Sequence, residues 1–152
     1  MVDIRAAIMA DLEPLVALDT VAASDPGRCV QIRQWIDNRT CYVAHTGDAV
    51  GAYGVLAYHF FGNGFIEMVM VGERFRRQGL GMALVRYFQA CCTTPKLFAS
   101  TNLSNQRMQE LLKTAGFRTS GLIDNLDDND PEIVFFSRPG IEAPCGIPHE
   151  NT

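Results

Sequence analysis

Positive charge is scarce in this chain. Its 152 residues hold 13 Lys and Arg against 17 Asp and Glu, a formal net charge of −4. That balance argues against a general nucleic-acid binder, whose affinity comes from neutralising phosphates with cations. Long apolar runs are missing too: none reaches the ~20 residues that cross a bilayer as a helix. Paired cysteines are absent. Cys29, Cys41, Cys91, Cys92 and Cys145 form an odd set with no CxxC spacing, which argues against a zinc or disulfide framework and suits reduced thiols packed as small apolar residues. No metal site is expected. Met1-Val2-Asp3-Ile4-Arg5 lacks the basic-then-apolar order of a secretory leader, so the expectation is a cytoplasmic protein with no membrane segment.

What is present suits one folded domain. Apolar residues make up 47% and charged residues 20%, a globular balance. Strand patterns cover Val2–Ala6, Cys41–His45, Ala49–Phe60, Phe65–Val71, Lys96–Ser100, Phe117–Asn125 and Glu132–Ser137. Helical patterns start at Asp11, at Asp25-Pro26, at Leu80 and at Ser104, each with a candidate cap or an apolar stripe at 3.6 spacing. Gly62-Asn63-Gly64 is a hairpin signal. The helix between Phe65–Val71 and Lys96–Ser100 predicts that these two strands run parallel. The reading is an α/β (α+β) fold: a mixed central sheet of about seven strands, antiparallel at its N-terminal side, and about four helices. Residues 1–138 form the domain. Residues 139–152, with three prolines and little apolar content, read as a tail.

The most informative stretch is Arg76-Arg77-Gln78-Gly79-Leu80-Gly81. It joins the apolar strand Phe65–Val71 to a helix beginning around Met82. A basic turn with two closely spaced glycines before a helix can aim consecutive backbone N–H groups and the positive helix end at a phosphate, with arginines adding charge-assisted bonds. Two common nucleotide loops fail. A Walker loop needs Lys-Ser/Thr after its second glycine, where Met82-Ala83 stands. A dinucleotide fingerprint needs a third small residue where Leu84 stands, and an acid about twenty residues on.

The stretch does resemble the acyl-CoA loop of the GNAT superfamily of N-acetyltransferases, Arg/Gln-x-x-Gly-x-Gly/Ala, through Arg76, Gly79 and Gly81. The resemblance extends over roughly residues 2 to 137. Val69-Met70-Val71 is similar to the strand that pairs with pantetheine. Asn105, with Gly116-Phe117 eleven and twelve residues later, resembles the second family signature. Gly51 resembles the glycine after the first hairpin, and Ile4-Arg5-Ala6-Ala7 the opening strand.

The resemblance implies acetyl-CoA (CoA) as co-substrate, held where the parallel pair splays apart. Val69, Met70 and Val71 would bind pantetheine as an added strand. Arg76, Arg77, Gln78, Gly79, Leu80, Gly81 and Met82 would hold the pyrophosphate, and Asn105 would bond the pantetheine or cofactor backbone. An N–H near Val69 would polarise the thioester carbonyl. Attack by an amine needs a base, since an ammonium has no lone pair. Glu67, on the same strand among apolar neighbours, resembles the glutamate some GNAT enzymes use, often through water; His59 is the second candidate. Two positions depart from the family. Leu112 stands where many members carry the tyrosine that protonates the thiolate, and Ser100 where some carry a glutamate.

The function read from this is acetyl-CoA-dependent N-acetylation of a primary amine on a small molecule, peptide or protein, by direct attack in a ternary complex. Leu112 and Ser100 favour an alternative, a non-catalytic acyl-CoA-binding module. A third reading, acetylation of aminoacyl-tRNA, is disfavoured by the negative charge. The partners are acetyl-CoA and an amine acceptor, with neither nucleic acid nor membrane. Dimers are common in the superfamily, which leaves a homodimer open. The acidic stretch Asp124–Glu132 can attract a cationic amine.

Overall fold

The computed structural model describes residues 1–140; most of the expected tail, from residue 141 on, lies outside the described residues. Seven strands are present: β1 (Val2–Ala6), β2 (Cys41–Thr46), β3 (Ala49–Phe60), β4 (Asn63–Val71), β5 (Leu97–Asn102), β6 (Arg118–Ile123) and β7 (Glu132–Ser137). Four α-helices join them: α1 (Leu12–Leu18), α2 (Pro26–Asp37), α3 (Leu80–Cys91) and α4 (Gln106–Thr114). The strands form one mixed sheet in the order β1-β2-β3-β4-β5-β7-β6. The expected parallel pair is there, with Gly64, Phe65 and Ile66 of β4 opposite Leu97, Phe98 and Ala99 of β5.

The chain divides into two compact units, Met1–Leu56 with Met68–Leu84, and Ala57–Glu67 with the chain from Val85 onward. In the first, β1 and β3 flank β2 antiparallel. Helix α2 opens at Asp25, whose carboxylate accepts from Gly27 N at 2.9 Å, with Pro26 in the first turn where its missing N–H costs nothing. Ile32, Trp35 and Ile36 fall on one helical face and are buried with Leu15, Val43, Tyr53 and Val55. The Trp35 and Tyr53 rings lie 6.2 Å apart.

Asp11 does not cap α1 with its side chain as its position suggested. Its carboxylate accepts from Ile8 N at 2.8 Å and from both terminal nitrogens of Arg5, at 2.8 and 2.9 Å. A bidentate guanidinium is the stronger partner. That pairing and the backbone bond hold the Asp11 carboxyl below its ordinary range despite burial.

The centre of this unit also holds a polar knot that the sequence did not announce. The Asp19 side chain is fully buried. It accepts from Tyr53 Oη at 2.6 Å, Arg28 Nη1 at 3.0 Å, Val21 N at 2.8 Å and Ala22 N at 3.1 Å. Burial alone would raise its pKa, but the Tyr53 hydroxyl, the backbone N–H groups and Arg28 outweigh it and lower the value. Burial and the bond to Asp19 push the Tyr53 phenol upward.

In the second unit β7 pairs antiparallel with both β5 and β6. Leu97, Ala99, Phe88, Leu112, Ala115, Phe117 and Phe135 are buried. An aromatic row runs across the hairpin and the neighbouring strands: Phe60 stacks on Phe65 at 4.9 Å and lies 5.0 Å from Phe98, itself 6.1 Å from Phe136. The hairpin turn falls earlier than Gly62-Asn63-Gly64 suggested. Phe61 and Gly62 carry its left-handed backbone, φ 51 and 77, and Asn63 and Gly64 already belong to β4. At α4 the cap is Asn105, accepting from Met108 N at 3.1 Å, rather than Ser104. The Ser104 hydroxyl and N–H are taken by Asp130, at 2.6 and 3.0 Å.

Tyr53→Phe removes a hydrogen bond to a buried carboxylate and should lower unfolding stability by about 1.5–3 kcal/mol in urea titration. The pH dependence follows from the two shifts. Asp19 has a lowered pKa when folded, so its contribution is complete above the unfolded value of ~3.9 and is lost as pH falls below it. Tyr53 has a raised one, so its contribution is complete below ~10 and is lost above. Tyr53→Phe should abolish the alkaline loss, because the phenol is gone, and reduce the acid loss, because the Tyr53 hydroxyl is one of the groups that lower the Asp19 pKa.

Candidate functional site

The end of β4 leads into the basic turn through a tight backbone path. Gly72 N donates to Gly51 O, and Phe75 N to Gly72 O, each at 2.9 Å, closing the 3₁₀ turn Glu73–Phe75. Gly51 is where the chains come closest. A Cβ there would sit 2.7 Å from the Phe75 ring and 2.7 Å from Leu80 Cδ1. Phe75 and Leu80 therefore occupy the space a side chain at 51 would fill. They bracket Arg76, Arg77, Gln78 and Gly79, all four exposed. Arg77 and Gly79 hold left-handed backbone, φ 65 and 80. Glycine bears this freely; arginine does so at a cost of roughly 1–2 kcal/mol.

Helix α3 starts directly behind the turn, where Gly79 O accepts from Ala83 N at 3.0 Å. The N–H groups of Leu80, Gly81 and Met82 thus have no carbonyl one turn back inside the helix. No acid stands in the first turn, so the positive helix end is uncancelled locally. Open backbone donors, a helix start and two exposed guanidiniums fit a diphosphate. Arg74 is differently engaged, its guanidinium 5.9 Å from the Phe75 ring centroid. Val69, Met70 and Val71 are half-buried on β4 in the same unit as the turn.

Glu67 and His59, read from sequence as alternatives, are brought together. Glu67 Oε2 lies 3.2 Å from His59 Nε2. The glutamate is not enclosed by its apolar neighbours, for its side chain is 29% exposed and that of His59 60%. Met68 and Met70 instead pack against the helical core of the first unit.

Asn105 spends its side-chain oxygen on Met108 N, so only its amide N–H groups remain for a ligand. Leu112 is fully buried and is a core residue of α4. Ser100 is half-buried and Thr101 buried on β5. Two carboxylates of the acidic stretch are held by hydrogen bonds from neutral groups. Asp127 accepts from Asn102 Nδ2 at 2.8 Å and Asp130 from Ser104. Arg28, Asp19 and Tyr53 had no sequence signal as a group, and neither did Phe75 as the anchor of the turn; both depend on packing between distant segments.

Nucleophilic chemistry finds little support at Cys41. The buried Cys41 thiol is pushed up to about 12 by desolvation, with Asp11 adding to it, and a protonated thiol is a poor nucleophile. Among the described residues no group of three or more His, Cys, Asp or Glu is placed to hold a metal ion. Among them, too, no helix is long and apolar enough to cross a membrane.

Comparison with known proteins places this arrangement. The family model described as "Acetyltransferase (GNAT) family" matches residues 9–117. Among solved structures, an acetyltransferase of the GNAT family from Bacillus cereus ATCC 10987 is 30% identical, with a TM-score of 0.85, covering 91% of this chain and 97% of that one. The ribosomal-protein-S18-alanine N-acetyltransferase from Escherichia coli shares the fold at 17% identity, TM-score 0.75, over 100% of this chain and 99% of that one. An acetyltransferase from Bacillus anthracis in complex with acetyl coenzyme A does so at 14% identity, TM-score 0.71, over 91% and 98%. No curated protein matches the sequence.

Gly51→Val should displace Phe75 and Leu80 and lower stability by about 1–3 kcal/mol, the usual cost of overpacking. Protease nicking within residues 76–79 should accelerate with it. An unaltered melting midpoint and cleavage pattern would mean that these two side chains do not fix the turn.

Proposed function

The chain belongs to the GNAT acetyltransferase family, and from that membership we propose that it moves the acetyl group of acetyl-CoA to a primary amine of a small molecule, peptide or protein by direct attack in a ternary complex. The observation that carries this reading is the exposed Arg76–Gly79 turn joined to the acid-free start of α3. The acetyl coenzyme A held by the Bacillus anthracis neighbour supports the choice of co-substrate. The working domain is residues 1–138.

Arg76, Arg77, Gln78 and the N–H groups of Gly79, Leu80, Gly81 and Met82 hold the pyrophosphate. Val69, Met70 and Val71 offer backbone groups to the pantetheine amides, and Asn105 offers its amide N–H. Glu67 takes a proton from the acceptor ammonium, directly or through water, which frees the lone pair for attack at the thioester carbonyl. The new C–N bond forms as the C–S bond breaks. With Leu112 in the core, the departing sulfur takes its proton from water, Ser100 or Thr101. The buried Leu112 also favours a second reading, an acyl-CoA-binding module without turnover, which predicts ligand binding but no CoA release with any amine.

CoA should raise the thermal midpoint, since a ligand that binds only the folded state adds about 2.7 kcal/mol at a hundredfold excess over Kd. Gly81→Glu, which puts bulk and negative charge at the helix start, should abolish that shift. A full shift in the variant would take the loop out of the binding site.

Glu67→Gln should lower kcat/KM by roughly 10²–10⁴-fold, the scale of general base catalysis, with the CoA-induced thermal shift retained. Free-CoA release over a panel of amines and peptides measures it, and unchanged turnover in Glu67→Gln would place the base elsewhere.

A further inference from the structure

Acetylation of an ammonium releases two protons from nitrogen, and only one ends on the CoA thiol. Each turnover at neutral pH therefore leaves one proton to be carried away from the base. A base without an exit stays protonated and idle until it meets water of its own.

We infer that His59 is that exit: a relay that takes the proton from Glu67 and delivers it to solvent. The inference rests on Glu67 being the base. Its observation is the contact between Glu67 Oε2 and His59 Nε2 at 3.2 Å, with side-chain exposure rising from 29% at the glutamate to 60% at the imidazole. The two residues sit on neighbouring strands of one hairpin, β3 and β4, within one compact unit. The Phe65 ring, 6.1 Å from the imidazole and stacked on Phe60 at 4.9 Å, flanks the histidine. Phe65 supplies no competing proton acceptor.

The steps balance. The ammonium loses one proton to the Glu67 carboxylate, which becomes the carboxylic acid. That acid passes the proton to Nε2 of a neutral imidazole carrying its hydrogen on Nδ1, giving imidazolium and restoring the carboxylate. Water takes the Nδ1 proton, and exchange with solvent returns the ring to its starting tautomer. Imidazole suits this because it both accepts and donates near neutral pH. The net change is one ammonium and one thioester to one amide, one thiol and one proton. His59 touches neither substrate nor thioester in this scheme; it acts through Glu67.

The test compares parent, His59→Ala, His59→Gln and Glu67→Gln by CoA release with the best amine of the panel, with and without added imidazole. His59→Ala should lower kcat about tenfold or more, within the range of proton-transfer effects, leave the KM for acetyl-CoA and the CoA-induced thermal shift unchanged, and regain rate as imidazole is added. His59→Gln, which fills more of the space but cannot carry the proton, should be as slow as His59→Ala. A His59→Ala kcat equal to the parent's, or a loss that imidazole does not restore, overturns the relay. A rate recovered in His59→Gln would show a packing role and overturn it as well. If Glu67→Gln is slow while His59→Ala is not, the base assignment survives and the relay alone fails. If Glu67→Gln is unimpaired, or the parent turns over no amine, the assignment beneath the relay fails and the relay with it.

Discussion

Close packing around a side chain that is not there governs the functional end of the first unit. At Gly51 the backbone surrenders its Cβ position to Phe75 and Leu80, which would otherwise be 2.7 Å from it. The same glycine accepts the Gly72 N–H at 2.9 Å, so one residue sets both the backbone path out of β4 and the seat of the two apolar anchors. The four residues between the anchors need no packing of their own and face water. The openness of this turn is in this sense a by-product of firm burial at both of its ends: donors can stay open because the chain on either side is not free to move in and cover them.

Two kinds of charge are put to opposite uses. Asp19 and Arg28 are withdrawn from solvent and matched, with the carboxylate accepting four hydrogen bonds. Breaking such a group leaves a buried charge uncompensated, which is costly, whereas the intact pair need add little net stability. Arg76 and Arg77 are left exposed beside a helix start, with no salt-bridge partner among the described residues. The first arrangement ties α1, α2 and β3 together; the second leaves its positive field open to solvent.

Most of the architecture was legible because the local signals were strong and unopposed. The seven strands, within a residue or two at their ends, the Asp25-Pro26 start of α2 and the parallel pairing implied by a helical crossover all appear as read. Two of the discrepancies share one cause, a partner outside the local turn outbidding one within it. Ser104 lost its capping role because Asp130, twenty-six residues away, takes its hydroxyl. Asp11 turned to Arg5 rather than to α1. The hairpin placed Phe61 in left-handed backbone, φ 51, although glycine and asparagine lay just beyond, and Phe60 meets its ring edge-on at 5.1 Å. At the site, the glycines and arginines of the turn stood out in the sequence through their spacing together with the flanking strand and helix. The joining of His59 to Glu67 was not, since it depends on strand register.

The left-handed backbone at Arg77 has a consequence for how this protein can change. A residue with a Cβ sits where glycine would rest without strain, φ 65, so the fold forgoes some stability at this position. Exchange of this residue for glycine would relax the backbone and remove a guanidinium in the same step, so rigidity and charge at the turn are set by one position.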